Sequence, residues 1–272
     1  TGLYCIGGCQ NHSYDEIDKC LECGGNQRLK TPSGNALSNY SDIIMIEKWG
    51  ELTNNLWLWY YSANFIYSIV DSPNLFNVYN DFRTVASFGV SGIYSEGTGT
   101  QCHTFELLRG YMAAKMMWDP FMSEEEYNAI MNEYLALYYG DGWEYVREYI
   151  EMADTAGNLN GCWTNNFDRP WNMYDKDYMR DNYETMRNLF ISAYNAAQDA
   201  EQKLRIERAS LHCEWLGLSA TYERDWVNGD AAARAEYKKH YDFFYRFTSE
   251  HDVMFTPFGE GKCRCNNYPS SS

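Results

Sequence analysis

The sequence is short of positive charge. Lys and Arg together number 22 against 38 Asp and Glu, so the formal net charge is −16. A nucleic-acid-binding surface needs clustered cations that replace the counterions along the phosphate backbone, and anionic lipid surfaces attract the same clusters. We therefore expect no nucleic-acid partner and no membrane partner. Neutral substrates suit this composition better.

Long apolar runs and several familiar catalytic motifs are also missing. No run approaches the roughly 20 apolar residues that span a bilayer. The sequence has no G-x-S-x-G elbow, no P-loop and no G-x-G-x-x-G motif, and these motifs mark serine hydrolases and nucleotide-binding enzymes. We expect no cofactor and no catalytic metal.

No signal peptide is visible, but the chain begins at Thr1, already inside a predicted strand. We therefore expect a piece of a longer protein, and the missing targeting signal says little about location. The location stays open, with a secreted or cell-surface protein favoured.

The nine cysteines are an odd number, so they cannot all pair within the chain. Cys5, Cys9, Cys20 and Cys23 lie near one end, with His12 among them. Short C-x3-C and C-x2-C spacings can bring thiolates together around zinc. Disulfides and free buried thiols, of which the latter are common, are also compatible with the pattern, so the state of the cysteines stays open.

Aromatic residues are abundant, at 17% of the chain with 24 tyrosines. Most such rings are expected to fill the seams between helices. Sugar rings present flat C–H faces that stack on aromatic planes, so some of the rings are also candidates for a carbohydrate cleft. Composition alone does not separate the two interpretations.

Two stretches organise the predicted fold, Asn55–Phe65 and Gly89–Gly97. Each is a short run rich in aromatic and β-branched residues, and each is followed by a helical pattern. This is typical of a buried parallel strand that opens into a loop at its carboxyl end. Two such units in series predict a βαβα arrangement with the chemistry in the loops beyond the strands. An earlier strand is predicted over residues 2–9, and a long polar loop over 10–40.

Helical patterns dominate after residue 101. Ser123–Glu126 reads S-E-E-E, a capping box that begins a helix, and Gly140 is its predicted stop. An aromatic, Asn-rich loop over 157–174 is expected to hold the helices together. The remaining predicted helices cover 40–50, 74–88, 104–118, a segment from 141 to about 154, 175–197, 199–226 and 230–250.

Four runs carry a resemblance to a known family: L-W-L-W-Y-Y-S-A-N-F, G-V-S-G-I-Y-S-E-G, F-E-L-L-R-G-Y-M-A-A-K-M-M-W-D-P and E-Y-L-A-L-Y-Y-G. In this order and spacing, from about Tyr4 to Asp154, the chain resembles bacterial proteins of the domain of unknown function 4838. The L-R-x-Y-x-x-A-K-x-x-W-D-P run is the most specific part. Those proteins are grouped with TIM-barrel glycoside hydrolases, some in glycoside hydrolase family 163, which are endo-β-N-acetylglucosaminidases acting on N-glycans.

The resemblance implies an α/β fold followed by a mostly α part. Residues 1–118 would form the last strands and helices of a (β/α)8 barrel, and residues 119–272 a helical bundle domain. The implied function is a glycoside hydrolase, or its C-terminal fragment, with a carbohydrate substrate that contains N-acetylglucosamine. The alternative is a non-catalytic module that binds a glycan or a partner protein.

The chain departs from the family pattern at both strands. Where the pattern has Trp-Asp-Tyr, Trp59–Tyr61 reads Trp-Tyr-Tyr, and where it has Phe-Glu-Gln-Gly, Tyr94–Gly97 reads Tyr-Ser-Glu-Gly. An Asp is thus replaced by Tyr60, and the Glu moves by one position to Glu96. Because side chains alternate between the faces of a strand, a shift of one residue normally changes the face. A divergent enzyme, an enzyme with other carboxylates and an inactive relative all fit these departures.

Glu96 is the predicted catalytic carboxylate. It lies at the predicted carboxyl end of a strand, where barrel enzymes hold their catalytic groups. Glycoside hydrolysis uses a carboxyl on each side of the scissile bond, or one carboxyl together with the 2-acetamido group of the sugar. The alternative is a solvated loop glutamate. Glu106, at the start of the next helix, ranks lower because a glutamate there usually complements the helix dipole.

Five residues are predicted to bind the substrate. Trp59 and Tyr61 would form a platform for a sugar ring, and Asn64 would hydrogen-bond a hydroxyl or acetamide group. Tyr60 is a candidate phenol donor, and His12 follows the predicted glycine turn after the first strand. Packing in the core is the alternative for the rings, and a loop hydrogen bond is the alternative for His12.

Overall fold

A computed structural model gives the structure of the protein over ten ranges. They are residues 1–4, 9–16, 18, 26–30, 36–37, 39–65, 67, 69–97, 104–161 and 164–251. Three of the cysteines grouped near the start, Cys5, Cys20 and Cys23, lie outside the described residues. The predicted zinc and disulfide alternatives for that group therefore stay open.

Three parallel strands form the central sheet. They are β1 (Gly2–Tyr4), β4 (Leu56–Tyr61) and β5 (Val90–Glu96), in the spatial order β1-β4-β5. Two further strands, β2 (Asn26–Lys30) and β3 (Ala36–Leu37), lie between β1 and β4 in the sequence. They pair antiparallel and form a separate two-stranded sheet. The parallel strands confirm the predicted βαβ order, and all three carboxyl ends lie at one edge of the sheet.

Helices make up most of the remaining described chain. In chain order they are α1 (Asn39–Leu52), α2 (Asn77–Ser87), α3 (Glu106–Trp118), α4 (Glu124–Tyr139), a 3-10 turn (Gly140–Gly142), α5 (Trp143–Asn160), α6 (Pro170–Met173), α7 (Lys176–Ala196), α8 (Ala200–Thr221), a π-helical segment (Tyr222–Val227) and α9 (Ala231–Glu250). The coarse prediction of a few parallel strands followed by many helices is confirmed.

The central strand β4 is buried on one face only. Leu56, Leu58 and Tyr60 are at most 5% exposed, whereas Trp57 is 52% and Trp59 44% exposed. The buried side chains join a core that includes residues of α1 and α2, and side chains alternate along a strand. The predicted buried strand is therefore buried on one face and exposed on the other. We call the uncovered side of β4 and β5, which carries Trp57 and Trp59, the open face.

Local signals placed several helix ends correctly. At α4, the Ser123 hydroxyl accepts a hydrogen bond from the Glu126 amide at 3.2 Å, and the Glu126 carboxylate accepts one from the Ser123 amide at 2.9 Å. This confirms the capping box. Gly140 follows α4 with a φ of 63°, a backbone conformation that favours glycine.

Two other predictions differ from the structure. The polar segment 10–40 contains the short β2–β3 hairpin, and its strands lack the alternating apolar pattern by which strands are recognised. Helix α5 runs to Asn160 rather than ending near residue 154, and Gly161 follows it with a φ of 61°.

The division of the chain at residue 118 stays a prediction. Buried residues on both sides of it, among them Met116 and Tyr127, belong to one hydrophobic cluster. In addition, the Tyr127 hydroxyl donates to the Leu75 carbonyl at 3.1 Å. None of the described helices is both long enough and apolar enough to cross a membrane.

Candidate functional site

Five side chains share the open face of the sheet at and near its carboxyl edge. Trp57, Trp59 and Tyr61 alternate along β4, and the strand register pairs Trp59 with Tyr94 and Tyr61 with Glu96 on β5. Paired residues of neighbouring strands project to the same side of the sheet. The structure therefore brings together Glu96, Trp59 and Tyr61, three of the residues that the sequence predicts for the site.

Trp59 is the centre of this group. Its ring stacks nearly parallel to Tyr61, with centroids 6.0 Å apart and planes at 10°, and meets the Tyr94 ring edge-on at 5.0 Å. Its indole Nε1 donates a hydrogen bond to Glu96 Oε2 at 2.6 Å. One tryptophan thus orders two further rings and a carboxylate. We call Trp59, Tyr61, Tyr94 and Glu96 the aromatic–carboxylate group.

A glycine extends this surface towards the amino end of the strands. A Cβ placed on Gly92 would lie 2.7 Å from a ring carbon of Trp57, closer than nonbonded carbons approach. The Trp57 ring therefore lies directly over the backbone of β5. Its indole nitrogen donates to Asn55 Oδ1 at 2.9 Å, which holds the ring in this orientation.

Tyr60 lies on the opposite face of the sheet from Glu96. It is 5% exposed, and its hydroxyl donates to Asp81 Oδ2 at 2.5 Å, while Asp81 Oδ1 accepts from the Tyr14 amide at 2.6 Å. Burial raises the pKa of Asp81 to about 7, against the lowering effect of these two hydrogen bonds. Burial and the neighbouring Asp81 together hold the pKa of Tyr60 well above its usual value. The structure does not bring Tyr60 to the aromatic–carboxylate group, because the sheet separates them.

Asn64 lies in the loop after β4, with its side chain fully buried. Its Nδ2 donates to the Asp168 carbonyl at 2.9 Å, and its Oδ1 accepts from the Tyr67 amide at 2.9 Å. Donor and acceptor are thus both engaged within the protein. The side chain ties the loop after β4 to the segment before α6, and it does not reach the aromatic–carboxylate group in this structure.

His12 is likewise buried, in the segment that follows β1. Its Nδ1 lies 3.6 Å from Cys9 Sγ, and its carbonyl accepts from Asn39 Nδ2 at 2.7 Å. These contacts correspond to the loop hydrogen-bonding alternative. His12 is not brought to the aromatic–carboxylate group.

A buried amide network that the sequence reasoning missed supports Tyr61 from below. Gln10 Nε2 donates to the Tyr61 carbonyl at 3.1 Å and to Asn166 Oδ1 at 3.2 Å, and Gln10 Oε1 accepts from Asn74 Nδ2 at 2.5 Å. The Phe65 amide donates to the Asn166 carbonyl at 2.7 Å. Amides supply both donors and acceptors, so they can join three loops that carry few regular hydrogen bonds. The Asn-rich composition of these loops was the available signal.

A second support lies behind the end of β5. A Cβ on Gly97 would fall 1.9 Å from Glu106 Oε1, so the Glu106 carboxylate occupies the space of a side chain there. One turn later in α3, Arg109 pairs with Asp71 at 3.3 Å, and both side chains are 3% exposed. Burial lowers the pKa of Arg109, but the charges of Asp71 and Glu106 outweigh it and the pKa is raised. The start of α3 thus holds the end of β5 to the loop after β4.

A comparison with protein-family models identifies this region of the chain. Residues 26–151 match the model described as Domain of unknown function (DUF4838). This segment belongs to the DUF4838 family. The match confirms the predicted resemblance, and the DUF4838 segment contains β4, β5 and the whole aromatic–carboxylate group. No curated protein and no solved structure matches the chain.

Proposed function

We propose that this protein binds glycans on the open face of the sheet and hydrolyses a glycosidic bond with Glu96 as the acid. The observation that carries the proposal is the 2.6 Å hydrogen bond from Trp59 Nε1 to Glu96 Oε2 within a group of exposed rings. Exposed aromatic planes offer stacking surfaces to sugar rings. A carboxylate that is fixed beside such a plane is in position to reach the oxygen of a bound glycosidic linkage.

The architecture in this proposal is part of a (β/α)8 barrel. In such barrels the helices lie outside, alternate side chains of each strand point inward, and the catalytic groups lie at the carboxyl ends of the strands. Three features support it here: the sheet is parallel, Leu56 and Leu58 share a core with the helices, and Glu96 is the last residue of β5. The open face would be the barrel interior, which makes its rings and Glu96 accessible to substrate.

The chemistry favours a substrate that assists its own cleavage. Among the described residues of the three parallel strands, Glu96 is the one carboxylate. Hydrolysis with a single enzymic carboxyl requires another nucleophile, and the 2-acetamido group of an N-acetylglucosamine residue can supply it. Glu96 would protonate the leaving oxygen while the acetamide oxygen attacks the anomeric carbon, and water would then open the resulting oxazoline and return a proton to Glu96. Trp59 would orient the carboxyl group, and Tyr61 and Tyr94 would border the sugar. N-acetylglucosamine-containing glycans are therefore the proposed substrates.

The second candidate is a glycan-binding module without turnover. It is favoured by Tyr60, which stands where the family pattern has an Asp and lies on the buried face of the sheet. In this alternative the rings still bind sugar, and Glu96 contributes a hydrogen bond instead of a proton.

Glycan release, measured by mass spectrometry on a panel of N-glycoproteins, tests the proposal. The protein should release oligosaccharides, and Glu96→Gln should abolish release while binding to the same glycans persists. Glu125→Gln is the matched control, because Glu125 is an exposed carboxylate on α4. Binding without release by the unaltered protein would select the module. Neither binding nor release would reject both candidates.

A further inference from the structure

A separate cleft lies away from the open face. Its volume is about 410 Å³, and its walls come from residues 13–16, the start of α2, and helices α4 and α5. Ligand sites commonly have volumes of about 300–1,000 Å³, so the cleft has room for a small sugar or a compound of similar size. None of the residues assigned to the proposed glycan site lines it.

Negative charge dominates this cleft. Four carboxylates line it, together with a single guanidinium; the carboxylates are Glu16, Glu124, Glu151 and Asp154. Arg147, the guanidinium, is already committed to Glu151 at 2.7 Å and to Asn128 Oδ1 at 2.9 Å. The carboxylates that Arg147 does not neutralise give the cleft a negative electrostatic potential, which favours a positively charged ligand.

The cleft also offers neutral hydrogen-bonding groups. Asn158 Nδ2 donates to Asp154 Oδ2 at 2.8 Å and so orients that carboxyl group. Asn80 lines the cleft, and its amide makes no hydrogen bond within the described part of the chain. Its donor and acceptor suit the hydroxyl groups of a ligand.

A smaller cavity, which we call the inner cavity, adjoins the cleft. Phe76 and Asp154 line both spaces, and the inner cavity, of about 30 Å³, is also lined by Arg109. Arg109 is 3% exposed; its Nη1 lies 3.3 Å from Asp71 Oδ1 and its Nη2 donates to the Ser72 carbonyl at 3.0 Å, but its Nε has no hydrogen-bond acceptor among the described residues. Buried guanidinium N–H groups normally have acceptors, and a space of this size holds one water molecule or one hydroxyl group. The Nε group of Arg109 is thus available to an acceptor in the inner cavity, either a water molecule or a hydroxyl group.

We propose that this cleft binds a hydroxylated ligand that carries an ammonium group, with an unacetylated amino sugar as the simplest member of the class. Asp154 pairs with the ammonium group, Asn80 bonds a ring hydroxyl, and a hydroxyl or water in the inner cavity accepts a hydrogen bond from Arg109 Nε. An organic cation is favoured over a metal ion, because no group of three or more His, Cys, Asp or Glu among the described residues could hold one. The proposal does not depend on the function proposed for the open face.

Binding should weaken in acid. Burial raises the pKa of Asp154 to about 6, the Asn158 hydrogen bond lowers it, and the charges of Glu16 and Glu151 raise it. Protonation below this value removes one negative charge from the cleft, so affinity for an ammonium group falls as the pH drops through about 6. The other titratable and charged groups that line the cleft or the inner cavity are Glu124, Tyr79, Tyr127, Arg147, Asp71, Arg109, Tyr174 and His212.

Calorimetric titration with glucosamine and glucose tests the inference. At pH 7 glucosamine should bind at least about tenfold more tightly than uncharged glucose, as expected for one charge-assisted hydrogen bond. Its affinity should fall several-fold at pH 5. Asp154→Asn should weaken glucosamine about tenfold, and Asn80→Ala should weaken it several-fold. Glu148→Gln, which alters an exposed carboxylate on the same helix as Asp154, should leave binding unchanged.

Three results would overturn the inference: no saturable binding of glucosamine at millimolar concentration, equal binding of glucose, or unchanged affinity in both cleft variants. Thermal melting establishes that Asp154→Asn is folded. If Asp154→Asn does not fold, the affinity of Asn80→Ala for glucosamine tests the inference, because, among the residues that the structure describes, the Asn80 side chain has no hydrogen bond whose loss would destabilise the fold. Glycan release from the open face is measured separately, so the failure of one proposal is distinguishable from the failure of the other.

Discussion

The indole nitrogen of Trp59 and the carboxylate of Glu96 form a hydrogen bond of 2.6 Å between neighbouring parallel strands. The two side chains lie 37 residues apart in the sequence, and the register that pairs Tyr61 with Glu96 brings them together. Because the hydrogen bond restricts the rotation of the Glu96 carboxyl group, Trp59 both exposes a stacking plane and orients the acid. Substitutions at Trp59 can distinguish the role of its ring from the role of its N–H donor.

Trp59→Phe keeps an aromatic plane but removes the donor. We expect it to retain most glycan affinity and to lose about tenfold in turnover, because the Glu96 carboxyl group loses the donor that orients it. Trp59→Ala should lose binding as well. Steady-state kinetics together with calorimetry separate the two effects. Trp118→Ala is the control, since Trp118 is 91% exposed at the end of α3. Equal losses of binding in both Trp59 variants would argue against a separate role for the donor.

Gly97→Ala should destabilise the fold. The added methyl group would lie 1.9 Å from Glu106 Oε1, so the end of this flexible side chain must move aside, at a cost of up to about 1 kcal/mol in the free energy of unfolding. Gly110→Ala is the matched control, because a Cβ there meets nothing within 4 Å and the position lies inside α3. It should stabilise the protein by about 0.5–1 kcal/mol. Urea denaturation measures both, and equal stability of the two variants would refute the proposed contact.

Tyr60→Phe tests the buried pair on the opposite face. The substitution removes the hydrogen bond from the Tyr60 hydroxyl to Asp81. The Tyr14 amide, 2.6 Å from Asp81 Oδ1, still donates to this carboxyl group. Removing a hydrogen bond from a buried acceptor costs about 1–3 kcal/mol of unfolding free energy. Glycan affinity should stay within twofold of the original value, because the sheet separates Tyr60 from Trp59. A selective loss of glycan binding without loss of stability would instead restore Tyr60 as a binding residue.

Stability should depend on pH through Asp81. Its folded-state pKa of about 7 lies above the ordinary value of 3.8, so the folded state binds the proton more tightly than the unfolded state does. The contribution of the protonated Asp81 to the free energy of unfolding is therefore fully present below pH 4 and is lost as the pH rises towards 7. Asp81→Asn should flatten this part of the stability profile, whereas Glu125→Gln controls for the loss of one negative charge. Denaturation midpoints from pH 4 to 8 measure the slope, and an unchanged slope in Asp81→Asn would contradict the assignment.

Gln10→Ala should disrupt the amide network. It removes the donor to the Tyr61 carbonyl and leaves buried groups of Asn74 and Asn166 without this partner. We expect a loss of about 2–3 kcal/mol in unfolding free energy, since buried amides that lose partners carry a desolvation cost. Gln198→Ala, at an exposed glutamine, should change stability by less than about 0.5 kcal/mol. Similar effects of the two substitutions would show that the network contributes little.

Sequence patterns predicted the parts of the fold that depend on local physics. The Ser123 capping box, the Gly140 helix end and the parallel strands all follow from propensity and short-range hydrogen bonding. The meeting of Trp59, Tyr61 and Glu96 followed from strand order, because parallel carboxyl ends share an edge.

The positions of the other predicted site residues depended on contacts between segments that are distant in the sequence. Tyr60 was predicted to bind substrate, but alternation places it on the face that the helices cover, and Asp81 gives its hydroxyl a partner there. Asn64 and His12 were placed near the predicted strand ends by sequence, yet their partners come from distant segments such as Asp168 and Asn39. No local pattern encodes which loop supplies the partner of a buried amide.

A crystal structure of the Glu96→Gln variant with a bound N-acetylglucosamine oligomer would show directly whether the open face binds glycans. A sugar ring should stack on Trp59 at van der Waals distance, with the glycosidic oxygen about 3 Å from the side chain at position 96. An oligomer bound elsewhere, with the open face empty, would contradict the proposed glycan site.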